Sequence, residues 1–155
     1  ILELATDAET QTGTDTARAI TAANLTAKEG IAGSLRANTA DRILTTDIVW
    51  GDAAEVTLTD AVTITVDMNL FINAVVTLAG NRTLGNPTNE KVGQSGTIRV
   101  VQDGTGSRTL AYGTDWEFAG GTAPVLSTAA AKEDLLFYKV VATNRIFGSL
   151  VKAIA

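Results

Sequence analysis

Hydrophobic and polar positions follow two different rhythms along the chain. Across residues 1–50 apolar side chains are sparse, and Ile20, Ala23, Ala27, Ile31 and Leu35 recur at helical spacing as a thin stripe built largely of alanine. Thr6-Asp7-Ala8-Glu9 and Thr26-Ala27-Lys28-Glu29 have the capping-box spacing, in which hydroxyl and carboxylate each satisfy an orphan N–H at a helix start. Gly13 supplies a stop for a short first helix. Gly30 and Gly33 each cost roughly 1 kcal/mol against alanine inside a helix. Short helices with thin stripes are marginal in water. The segment is therefore either a disordered tether or a stretch ordered by neighbouring chains.

From Val56 the period becomes two. Val56, Leu58, Val62, Ile64, Val66, Met68, Leu70 and Ile72 share one parity, and Thr57, Thr59, Thr63, Thr65, Asp67 and Asn69 fall between them. That alternation predicts half-buried antiparallel strands with the apolar side inward. Further strands are expected over residues 74–78, 97–102, 109–112 and 115–118. A hairpin of 135–143 and 145–151 is expected to turn at Asn144. Between them lie Gly80-Asn81, Gly85-Asn86-Pro87, Gly93 to Gly96, Gly113-Thr114-Asp115 and Gly120-Gly121, placing turn residues every ~8–12 positions. Residues 128–132 read as a short helical turn. The expected fold is mainly β: an antiparallel jelly-roll-like β-sandwich over residues 51–155, preceded by a short helical or extended segment over residues 1–50. Trp50, at the junction, is expected to anchor the first segment.

Composition sharpens this picture. Only 19% of the 155 residues are charged and 5% aromatic, so the chain leans on Thr, Val and Ala, and the branched Thr and Val favour pleated surfaces. A net charge of −5 argues against nucleic acid and anionic membrane surfaces as partners. With no Cys and no His, imidazole and thiolate metal sites, Ser–His and Cys–His nucleophiles and disulfides are excluded.

The remaining chemistry is limited. Asp103 to Leu110, DGTGSRTL, is glycine-rich but lacks GxxxxGK[ST], and reads as a tight hairpin. Asp115 and Glu117, with Asp134, could form an acid–base pair of the glycosidase kind, though a solvated acidic surface explains them as well. No DxDxDG-like run points to calcium. No catalytic residue, metal ligand or cofactor is therefore assigned, and the chain is read as non-enzymatic. Tyr112 and Trp116, close in sequence to Arg108 and Asp115, could stack and hydrogen-bond a sugar, against the simpler expectation that Trp116 and Phe118 fill the core. Asn24-Leu25-Thr26 and Asn81-Arg82-Thr83 fit the glycosylation triplet by chance.

Two stretches resemble a known family. Ala5-Thr6-Asp7-Ala8-Glu9, Gly13-Thr14-Asp15, Arg18-Ala19-Ile20-Thr21 and Asn24-Leu25 are similar to an N-terminal module of bacteriophage tail fibres and related virion fibres, with Ala22 where that module has Pro. Gly80-Asn81-Arg82-Thr83-Leu84, Asn86-Pro87-Thr88-Asn89, Gly93-Gln94-Ser95-Gly96, Gln102-Asp103, Gly106-Ser107-Arg108-Thr109, Gly120-Gly121-Thr122-Ala123-Pro124 and Asp134 resemble a small β-domain near the C-termini of phage fibre proteins. The resemblance implies a homotrimeric tail or head fibre subunit of a virion that mediates adsorption to the bacterial surface. Thr6, Glu9, Asp15, Arg18, Ile20 and Leu25 would then serve trimer contact and attachment to capsid or tail proteins. Arg108, Tyr112, Asp115 and Trp116 would contact host surface polysaccharide. The alternatives are a capsid decoration protein that stabilises the shell without host binding, and a depolymerase tip.

Overall fold

The computed structural model describes residues 45–154 and, before them, residues 4–6, 8, 29, 30, 35 and 43. The chain divides into two compact units, Ile1–Asp52 and Ala53–Ala155. Helix α1 spans Thr46–Ala53, with Asp47 in its first turn, where a negative charge meets the positive end of the helix dipole. It buries Ile48 and Asp52, and the Asp52 carboxylate accepts the Leu35 amide at 3.1 Å. Trp50, expected as an anchor, is 75% exposed on this helix. Of the expected attachment residues, Thr6 is described and exposed; Glu9, Asp15, Arg18, Ile20 and Leu25 lie outside the described residues, as do Gly13 and most of the two capping boxes.

The second unit is mainly β, with one sheet of mixed strand direction and one that is parallel throughout. Its strands are β1 (Glu55–Thr57), β2 (Thr63–Ile64), β3 (Asn73–Leu78), β4 (Arg82–Leu84), β5 (Ser95–Gln102), β6 (Leu110–Tyr112), β7 (Trp116–Phe118), β8 (Glu133–Ala142) and β9 (Arg145–Val151). One sheet runs β1-β3-β5-β8-β9-β7 and the other β2-β4-β6. From β1 to β7 the chain alternates between them, and each return to a sheet arrives in the same direction. β1, β3 and β5 therefore pair in parallel, as do β2, β4 and β6. In these two ladders each crossover that a parallel pair requires is a strand of the opposite sheet, a winding of the kind seen in parallel β-helices. A bridge between Asp67 and Thr88 adds a third parallel contact between turns. The hairpin β8–β9 then closes antiparallel on β5, and β7 pairs in parallel with β9 at the far edge.

Among the described residues five of the seven strand pairs are parallel. The expectation of an antiparallel sheet is thus corrected. Alternation reports that a strand has one buried face; it carries no information on the direction of its neighbour. The run from Val56 to Ile72 is also not continuous. Asp60 holds a corner by accepting Arg82 Nε and Nη2, each at 2.7 Å, and Asp67 holds another by accepting the Asn69 amide at 3.0 Å. At these corners the parity breaks, leaving Val62 77% exposed, and Leu70 is exposed as well. Residues 128–132 form a turn with Ala131 at φ 58° rather than a helical turn.

Both sheets contribute to one core. Ile64, Leu84 and Leu110 from the smaller sheet meet Val76, Leu78, Ile98, Val100, Leu136, Val140 and Ile146 from the larger. Phe71 is fully buried and packs edge-on against Tyr138, with ring centroids 6.4 Å apart. Successive turns are latched by short amides. The Asn73 side chain accepts the Thr97 amide and hydroxyl at 3.0 and 2.9 Å and donates to the Ala53 carbonyl at 2.7 Å. Asn81 accepts the Thr109 amide at 3.1 Å, and Asn86 accepts the Asp115 amide at 3.1 Å while donating to the Thr114 hydroxyl. Gln94 donates to the carbonyls of Met68 and Phe71. In parallel stacks the turns leave backbone groups unpaired by the ladders, and these side chains satisfy them.

Candidate functional site

The glycine-rich segment after β5 crosses from one sheet to the other and is not a hairpin, which corrects the expectation for DGTGSRTL. Asp103 caps the turn, its Oδ1 accepting the amides of Thr105 and Gly106, both at 2.9 Å. Its Oδ2 accepts Arg108 Nε and Nη2 at 3.0 and 2.8 Å. The guanidinium and the two amides together hold the Asp103 carboxyl down at about 2. Gln102, buried, clasps the backbone of Arg108 from both sides, accepting its amide at 2.8 Å and donating to its carbonyl at 2.9 Å. Arg108 is thereby committed to the loop.

Trp116 is 6% exposed and donates its indole N–H to the Gly85 carbonyl at 2.9 Å. It is a core residue and presents no free face for a sugar. Tyr112 is half-buried between Trp116 and Phe118, with ring centroids at 6.4 and 4.6 Å. Its hydroxyl is buried without a hydrogen-bond partner, and burial, assisted by the Asp134 charge, pushes its ionisation well above the tyrosine range. Asp115 is half-buried, with its amide on Asn86 and its carboxylate on the Thr114 hydroxyl. The structure therefore places Arg108 and Trp116 in supporting roles.

The carboxylates do not form an acid–base pair. Asp134 is 2% exposed, and its oxygens accept the Ser127 amide and hydroxyl, both at 2.6 Å, and the Ala153 amide at 2.7 Å. Glu117 faces outward and accepts Arg145 Nε at 2.9 Å. Among the described residues no group of three or more acidic side chains could hold a metal ion, and no helix is long and apolar enough to cross a membrane.

A groove does run along the β7 edge. One stretch of about 480 Å³ is bounded by Tyr112, Trp116, Glu117, Phe118 and Ala123. A neighbouring one of about 380 Å³ is bounded by Glu117, Phe118, Ala119, Phe147 and Gly148. Phe118 lies against the backbone of Gly148, where an added Cβ would come within 2.5 Å of its ring. On the outer face of β9, Phe147 is 45% exposed, with the Arg145 guanidinium 5.1 Å from its ring centre. Sequence reading overlooked Phe147 and Arg145 as surface groups. The signal was present, because with Ile146 inward the period of two puts both outward.

No family model, curated protein or solved structure matches the chain.

Proposed function

We propose that the protein is a virion structural protein, one subunit of a trimeric fibre or spike on the head or tail of a phage or phage-like particle. It mediates adsorption to the bacterial surface by binding glycan and catalyses no reaction. The observation that carries the proposal is where the residues of the resemblance lie. Asn81, Asn86, Gln94, Gln102, Asp103, Arg108 and Asp134 are the groups that latch turn to turn and cap the crossovers. A pattern made of such latches travels with an architecture, which supports reading the resemblance as one of fold.

In this reading the body is jelly-roll-like in outline, two sheets over one core, with parallel returns in place of hairpins. The N-terminal segment, residues 1–50, registers three chains and attaches to other virion proteins. Several weak sites per fibre, and several fibres per particle, multiply avidity beyond a single contact.

Deleting residues 54–155 tests the proposal. Assembled particles that no longer adsorb to host cells are expected, and density projecting from the wild-type particle is expected by electron cryo-microscopy. Adsorption unchanged by the deletion, with density lying flat across shell contacts, would instead identify a capsid decoration protein. A stable monomer by mass measurement of the full chain would overturn the trimer.

A further inference from the structure

We propose that the outer face of the β8–β9 hairpin, centred on Phe147, binds an acidic pyranose, the carboxylate-bearing sugar unit of a bacterial surface polysaccharide. The inference rests on the adsorption reading above and assigns its contact to residues that the sequence did not single out.

The register sets the chemistry. Phe147 pairs with Lys139 on β8 and with Glu117 on β7, and directly paired residues project from the same face. Arg145 lies two residues earlier on that face. A half-exposed aromatic ring is thus flanked by two cations, Arg145 and Lys139, and by the carboxylates of Glu117 and of Asp115, which lies one position before Trp116 and whose carbonyl accepts the Ile146 amide. The local charges balance, so the choice of ligand rests on which donors are left without a partner.

Arg145 differs from the other guanidiniums of this unit. Arg82 closes on Asp60 with two nitrogens, and Arg108 on Asp103 likewise. Arg99, on the same outer face, is held between Glu55 and Glu133. Arg145 gives only its Nε–H, to Glu117, and its terminal nitrogens have no partner among the described residues. Lys139 is exposed beside it. A planar fork with free donors matches a carboxylate bidentately. The C–H face of a pyranose packs on Phe147 as apolar surface does, and Glu117 Oε2 is free to accept a sugar hydroxyl. The groove of about 380 Å³ beside Phe147 falls within the size range of small-molecule sites, ~300–1,000 Å³.

The test is calorimetric titration of the full chain with oligogalacturonate, oligomannuronate and a glucuronate-containing oligosaccharide, each beside its carboxyl-reduced neutral counterpart. Binding of at least one acidic oligosaccharide is expected, weakened about tenfold or more by carboxyl reduction and falling steeply with added salt. F147A and R145Q should each weaken it about tenfold, while V62S, exposed in the segment before β2, should leave it unchanged. Both affected side chains are exposed, so melting temperatures should not move. Absence of binding to every acidic oligosaccharide, equal binding of the neutral forms, or wild-type affinity in F147A and R145Q would each overturn the site. The adsorption assay separates the two ideas. Particles that need residues 54–155 but tolerate F147A and R145Q keep the fibre reading and refute this site. Acidic sugar bound at Phe147, with adsorption indifferent to the deletion, does the reverse.

Discussion

Asp134 offers the sharpest test of what holds the β-unit together. Its buried carboxylate takes three short hydrogen bonds, two from Ser127 and one from Ala153, so it ties the approach to β8 and the segment after β9 to one point. Asp134→Ala leaves two amides and a hydroxyl without their acceptor. Each hydrogen bond to a charged group contributes about 1.5–3 kcal/mol. The three are not additive, and breaking a buried charged cluster costs about 3–5 kcal/mol in all. Against a total stability of about 5–15 kcal/mol and a urea slope of about 1–3 kcal/mol per molar, the midpoint should fall by roughly 2 M. Trp116 is the reporter, since its buried indole is exposed on unfolding, whereas Trp50 is already 75% exposed. The measurement is therefore made in a Trp50→Phe background at fixed protein concentration, because subunit association shifts apparent stability. Asp134→Asn keeps one acceptor oxygen but turns an N–H₂ toward a donor, and should cost about 1–3 kcal/mol; it keeps the test readable should the alanine variant not fold. A loss below about 0.5 kcal/mol in Asp134→Ala would refute the clasp, since that is within the range of an ordinary surface change.

Two further outcomes follow from the same geometry. A Cβ at Gly96 would run into the Ile72 carbonyl, which already accepts the Tyr138 hydroxyl at 2.7 Å. Gly96→Ala should therefore cost about 1–3 kcal/mol or more, and an unchanged melting temperature would show that β3 and β5 are not packed this closely. Burial raises both tyrosines, Tyr112 and Tyr138, above their ordinary range, so the neutral hydroxyls stabilise the fold below pH ~10, and that contribution is lost as the pH rises and the unfolded chain ionises. Absorbance at the phenolate band should rise in one step coincident with loss of the circular dichroism signal; a gradual titration centred near pH ~10 with the fold intact would refute the burial.

Local order was readable wherever it depends on neighbours in the chain. The expected strand over residues 145–151 is β9 end to end, and the expected turn at Asn144 has φ 56°, because side-chain alternation and a left-handed Asn are local properties. The expected spans at 97–102 and 135–143 fall within a few residues of β5 and β8. Trp116 in the core was likewise the simpler expectation, and the structure bears it out. The polar motifs were visible, but their meaning was not. Asn81, Asn86 and Gln94 read as turn residues, whereas each donates to or accepts from backbone about twenty residues or more away.

What the sequence alone determined is thus a mainly β unit, its strand phases and its turns, since hydrophobic period and backbone preference act within a few residues. Tertiary structure decided the direction of pairing and the location of the open surface. Parallel return follows from crossing to a second sheet and back, which the alternation does not encode, and long-range side-chain bonds tie the successive turns together. In the same way Arg108 and Arg145 are indistinguishable in one dimension. Only the fold closes the first on Asp103 and leaves the second facing solvent beside Phe147, because the partner that neutralises a charge is chosen in space.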